Sequence, residues 1–177
     1  MNDSSTTPEE AAEIVARWGR DPELVRRHLV DGLAERGVDT TGLTWLSSEE
    51  TSTQVQHWID QGAQRYGRFA LIPPEGSNVH RREFNDGELP PWLDTGDRAQ
   101  EMLVSFSRPA GGQKRIARST LGYVVDNIVS LARADGDGFA AATPDLRGVL
   151  LVNVEESLGE STLEFDAWGT LIHSPDG

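Results

Sequence analysis

Cysteine is absent from this 177-residue chain, which excludes disulfides, thiolate nucleophiles and cysteine-ligated metal. Lysine occurs once, at Lys114, so nearly all the positive charge is arginine. That bias is expected of a GC-rich bacterial coding sequence and says nothing about chemistry. No apolar run approaches the ~18 residues of a spanning helix, and the opening MNDSSTTPEE has no basic stretch followed by an apolar one. A cytoplasmic protein is expected. Positive charge as a whole is scarce, and the formal net charge is -13. Nucleic acid and anionic membranes are bound through cationic surface, so neither is an expected partner. A basic protein is.

The common catalytic signatures are missing as well. GxSxG, HExxH, GxxxxGK[ST] and GxGxxG do not occur. His28, His57, His80 and His173 are scattered, with no second histidine at i+3 or i+4. Asp135-Gly136-Asp137-Gly138 starts like a calcium loop, but Phe139 and Leu146 stand where ligands are needed, so it reads as a helix stop and turn.

What is present suits a folded chain: 37% hydrophobic and 25% charged residues. Residues 1–177 read as one domain, with 1–66 separable as a helical subdomain. Thr7-Pro8-Glu9-Glu10 opens a first helix. Asp21-Pro22 opens a second, ending at Gly37, with Leu24, Val25, His28, Leu29, Gly32 and Leu33 inward. Asp39 to Gly42 is a polar linker. Ser48 is the expected cap of a third helix carrying Val55, Trp58, Ile59 and Tyr66, and Gly67 ends it. Phe69–Ile72 and Val79–Phe84 read as short strands. Asn85 to Asp97 is a turn-rich loop with Trp92 as its apolar anchor.

The centre of the chain runs from Glu101 to Gly138. Met102, Leu103, Val104 and Phe106 predict a strand. Gly111 and Gly112 then break regular structure. Leu121, Val124, Val125, Ile128, Val129 and Ala132 fall at helical spacing and predict one buried helix over Leu121–Ala132. Ser119 or Thr120 caps it, and Gly136 takes a left-handed conformation after its end. Beyond it, Phe139–Thr143, Val149–Val154, Thr162–Ala167 and Thr170–His173 read as strands of an antiparallel meander. In the third of these Leu163 and Phe165 point inward, and Glu164 and Asp166 lie on a solvated face. The fold class is α+β: three N-terminal helices, then a mixed, largely antiparallel sheet with one buried helix packed on it.

Charge is uneven. From Asp135 onward there are nine acidic residues against Arg147 alone, a net of -8. Between Glu101 and Arg118, Arg108, Lys114, Arg115 and Arg118 stand against one acid, a net of +3. Two sites are therefore considered. Arg108, Gly111, Gly112, Lys114, Arg115, Arg118 and Ser119 combine close backbone approach, cations and a helix start, as a phosphate or carboxylate ligand requires. The same cations can instead pair with neighbouring acids on a solvated hairpin or loop. Glu155, Glu156, Glu164, Asp166 and Trp92 form a candidate surface for a basic partner.

The strand, Arg108, the two glycines and the following helix resemble the cofactor-binding segment of acyl-CoA N-acetyltransferases. There a strand is followed by an arginine, glycines and a helix that receives the pyrophosphate. The likeness covers under a quarter of the chain. The second glycine is one place early, and Lys114 to Arg118 delay the helix. It implies a small transferase binding coenzyme A or another phosphate-bearing ligand. The leading expectation is different: a non-catalytic acidic binding protein of inhibitor or immunity-protein type that neutralises a basic protein partner. A subunit of a larger cytoplasmic assembly is the third.

Overall fold

The computed structural model describes residues 22–66, 82–84, 96–106, 116–136, 138–157 and 160–171. Helix α1 (Pro22–Glu35) starts on a proline, whose missing N–H is not needed at a first helical position. It ends where Gly37 adopts φ 75°, so that Gly37 N–H reaches Ala34 O at 2.9 Å and Val38 N–H reaches Leu33 O at 3.1 Å. Asp39 then caps a single 3-10 turn (Thr40–Gly42), and β1 (Thr44–Trp45) follows.

Helix α2 (Ser48–Tyr66) is capped by Ser47, one place before the expected residue. Ser47 Oγ accepts from Glu50 N–H at 3.1 Å, and Ser47 N–H donates to Glu50 Oε2 at 2.7 Å. Only Ser47 has a glutamate three places on, and the reciprocal box needs that spacing.

The remaining elements are β2 (Arg82–Phe84), β3 (Glu101–Phe106), β4 (Ile116–Thr120), α3 (Leu121–Asp126), α4 (Ile128–Asp135), β5 (Gly138–Ala142), β6 (Gly148–Ser157) and β7 (Glu160–Gly169). The strands form one sheet in the order β1-β4-β3-β5-β6-β7-β2. Every described pairing is antiparallel, in keeping with the largely antiparallel sheet expected of an α+β fold. The reason is the crossover. The chain leaves β4, passes through α3 and α4 and returns as β5 on the other side of β3. β4 and β5 thus run in the same direction without being neighbours.

Three further expectations are revised. The strand–loop–helix unit contains an additional strand, β4, because Ile116 to Thr120 pairs along β3 from Ser105 to Glu101. The single helix over Leu121–Ala132 is two, broken at Asn127 (φ -118°, ψ 14°). Asn127 Nδ2 donates to Tyr123 O at 2.9 Å, a local side-chain bond that competes with helix continuation. Trp168 and Gly169 lie inside β7, and Thr170 and Leu171 form a turn rather than a strand. The first expected helix, the Phe69–Ile72 strand and most of the Asn85–Asp97 loop lie outside the described residues.

Strand alternation sends side chains to two faces, and both are covered. Met102, Val104, Phe106, Phe139, Leu150 and Phe165 point to the first face, where Leu29 and Leu33 of α1 and Val124, Val125, Ile128 and Leu131 of α3 and α4 complete the core. Trp45 stacks on Phe106 there, with ring centroids 5.7 Å apart. Leu103, Ile116, Ala142, Val149 and Trp168 point to the second face, beneath Val55 and Trp58 of α2. β6 is apolar on both sides for this reason, as its run of Val149 to Val152 requires.

Candidate functional site

The first candidate centres on the corner where β4 becomes α3. Arg118 projects from the second face, and its Nε lies 2.8 Å from Glu101 Oε1 on the adjacent strand. Both side chains are about half exposed, so the pair contributes at most about 1 kcal/mol. Glu50 is held below the usual carboxylate range, first by the Ser47 N–H and Ser47 hydroxyl and then by the charge of Arg118.

Ser119 points the other way. It is buried, and its hydroxyl donates to Gly42 O at 2.9 Å. That partner is a carbonyl, which accepts a hydrogen bond but cannot take the proton a nucleophile must lose. Thr120 is the actual cap, accepting from Tyr123 N–H at 3.3 Å.

The first amides of α3 are all engaged by the chain itself. Leu121 N–H donates to Gln100 O and Gly122 N–H to Arg98 O, both at 2.9 Å. Arg98 also reaches Asp126 Oδ1 at 2.5 Å and Gly122 O at 3.4 Å, clamping residues 97–100 across the six-residue helix. The donors expected to face an anion near Ser119 thus have intramolecular acceptors. Arg108, Gly111, Gly112, Lys114 and Arg115 lie outside the described residues, and Arg118 and Ser119 are strand residues on opposite faces. Two apolar residues followed by two polar ones (Ile116, Ala117, Arg118, Ser119) show no strand alternation, so the sequence carries no local signal for this.

Sequence reading missed Tyr123. Its hydroxyl donates to Asp39 O at 2.9 Å, and its ring packs on Gly42. Burial, and then the negative charge of Asp39, push the phenol up, while the Thr41 hydroxyl and amide hold Asp39 down. Tyr123 and Ser119 together tie the 3-10 turn to the sheet.

The second candidate is the β6–β7 hairpin. From Gly148 to Gly169 it carries Glu155, Glu156, Glu160, Glu164 and Asp166 with no lysine or arginine. Glu155 lies opposite Thr162, Glu156 opposite Ser161 and Glu160 opposite Ser157, grouping three carboxylate residues toward the hairpin end. Glu83 of β2 lies opposite Glu164 in the strand register. Glu164 and Asp166 share the second face as expected, but that face is not solvated along its length. Glu164 is half-buried and Asp166 is only 7% exposed. Trp168, farther along the same face, is buried in a cluster with Val55 and Trp58 of α2. Trp92 lies outside the described residues.

Among the described residues, no group of three or more histidine, aspartate or glutamate side chains is placed to hold a metal ion. His28 and His57 are exposed on α1 and α2, so His28 does not face inward as expected, and His80 and His173 lie outside the described residues. No described helix is long and apolar enough to cross a membrane. No protein-family model, no curated protein and no solved structure matches the chain.

Proposed function

We propose that the chain is a non-catalytic acidic binding protein, of inhibitor or immunity-protein type, that neutralises a basic protein partner. The observation that carries this reading is the acidic β6–β7 hairpin, five acidic residues and no lysine or arginine over Gly148–Gly169, of which Asp166 is buried and Glu155, Glu156 and Glu160 stand toward the hairpin end. A ladder of ten residue pairs fixes the backbone register at which these residues stand. Charge of one sign on a rigid surface accelerates encounter with an oppositely charged protein and sets its orientation.

The test uses a partner captured by the full chain and then purified. Its association rate is measured from low to high salt, with wild type and with Glu155→Lys combined with Glu156→Lys. Steering predicts a steep fall with salt and roughly tenfold slower association for the variant, with circular dichroism unchanged. An association rate that is flat with salt and indifferent to the substitutions overturns the reading.

A further inference from the structure

Two buried polar atoms lack hydrogen-bond partners in the second layer of the fold. One is Nε1 of Trp168, a β7 residue 1% exposed; the other is Oγ1 of Thr51, an α2 residue 6% exposed. Thr51, Val55 and Trp58 are spaced i, i+4, i+7 and share the inward face of α2. Val55 and Trp58 pack in the same cluster as Trp168. The closed arrangement therefore withholds water from a donor and from a hydroxyl without replacing the lost hydrogen bonds.

Few described hydrogen bonds join α2 to the rest of the fold. Its start is capped within itself by the reciprocal Ser47–Glu50 bonds, and the residue before them is joined to the sheet by Leu46 N–H on Ile116 O at 3.0 Å. Farther on, the described hydrogen bonds to the β5–β6 turn are Trp58 Nε1 to Thr143 O at 3.3 Å and Gln54 Nε2 to Pro144 O at 3.0 Å. The first of these is long for an N–H donor.

We propose that α2 is a hinged flap, pivoting at Leu46–Ser47 and latched by Trp58, that opens from the sheet while the opposite layer stays folded. Opening hydrates both orphaned atoms and uncovers Leu103, Val149 and Trp168. The cost is the apolar burial that Val55 and Trp58 share with Leu103, Val149 and Trp168 and, among the described residues, two hydrogen bonds. The other face, held by α1, α3 and α4, has its own core and does not depend on Trp58. This is a sub-global opening of the kind seen when one element shares few apolar contacts with the rest.

Native-state amide hydrogen exchange on the full chain tests it. A released helix of this length is only marginally helical in water, so its amides exchange when it opens. The expected result is that amides from Val55 to Asp60 exchange faster than those of α4 and of β3. Thr51→Val keeps the shape of the side chain and removes the orphaned hydroxyl. It should slow α2 exchange by about tenfold and leave α4 unchanged. Thr53→Val, on the exposed side of the same helix, is the control for helix propensity and should not slow it. The proposal is overturned if α2 is protected as strongly as α4. It is also overturned if Thr51→Val and Thr53→Val act alike, or if Thr51→Val slows exchange everywhere by one factor.

Discussion

Gly42 offers a sharp test of how the 3-10 turn is fastened. Its backbone is not left-handed, so alanine brings no strain in φ. The obstacle is Tyr123. A Cβ on residue 42 would overlap ring atoms Cδ2 and Cε2 and stand 3.1 Å from Cγ. The ring has to move, and with it the hydroxyl that donates to Asp39 O. Overpacking of this kind costs about 1–3 kcal/mol, and the lost hydrogen bond about 1 more. Gly42→Ala should therefore destabilise by roughly 2–4 kcal/mol, lowering the melting temperature by about 5–15 °C for a chain of this size. Tyr123→Ala removes a half-buried ring and the same bond, at about 2–3 kcal/mol. The double variant has no ring to collide with, so it should cost about what Tyr123→Ala costs alone. Chemical unfolding of the four proteins closes the cycle. Strict additivity would refute the packing argument.

Two other outcomes are expected. Ile128→Asp should abolish the cooperative unfolding transition in circular dichroism, because residue 128 is 2% exposed in the first-face core and an unpaired carboxylate there has no solvent; unchanged melting would refute the packing of α4. In a thermal-shift panel of pyrophosphate, nucleotides and coenzyme A, no stabilisation is expected, since the α3 amides and Arg118 already have partners within the chain; a shift lost in Arg115→Ala combined with Arg118→Ala would favour the transferase reading over the binding protein.

The sequence by itself determined the elements whose signals are local. Pro22 and Gly37 bracket α1, Gly136 adopts φ 82° after α4, and the runs at Met102–Phe106 and Val149–Val154 are strands. Caps, turn glycines and apolar periodicity act within a few residues, so one chain suffices to read them. The α+β class follows from those elements alone. The tertiary structure decided what depends on distant partners. β4 is short and carries a polar pair, Arg118 and Ser119, and it becomes a strand because β3 and β1 lie on either side of it. Alternation places Glu164 and Asp166 on one face, but the same pattern serves a wet face and a covered one. Asp166 is 7% exposed while Trp168 on the same face lies in a core cluster with Val55 and Trp58 of α2, and no window of sequence around residue 166 contains that fact. The partners of the first α3 amides were hidden from the sequence for the same reason. Residues 97–100 are about twenty positions upstream of α3, and only the fold brings their carbonyls onto its first amides.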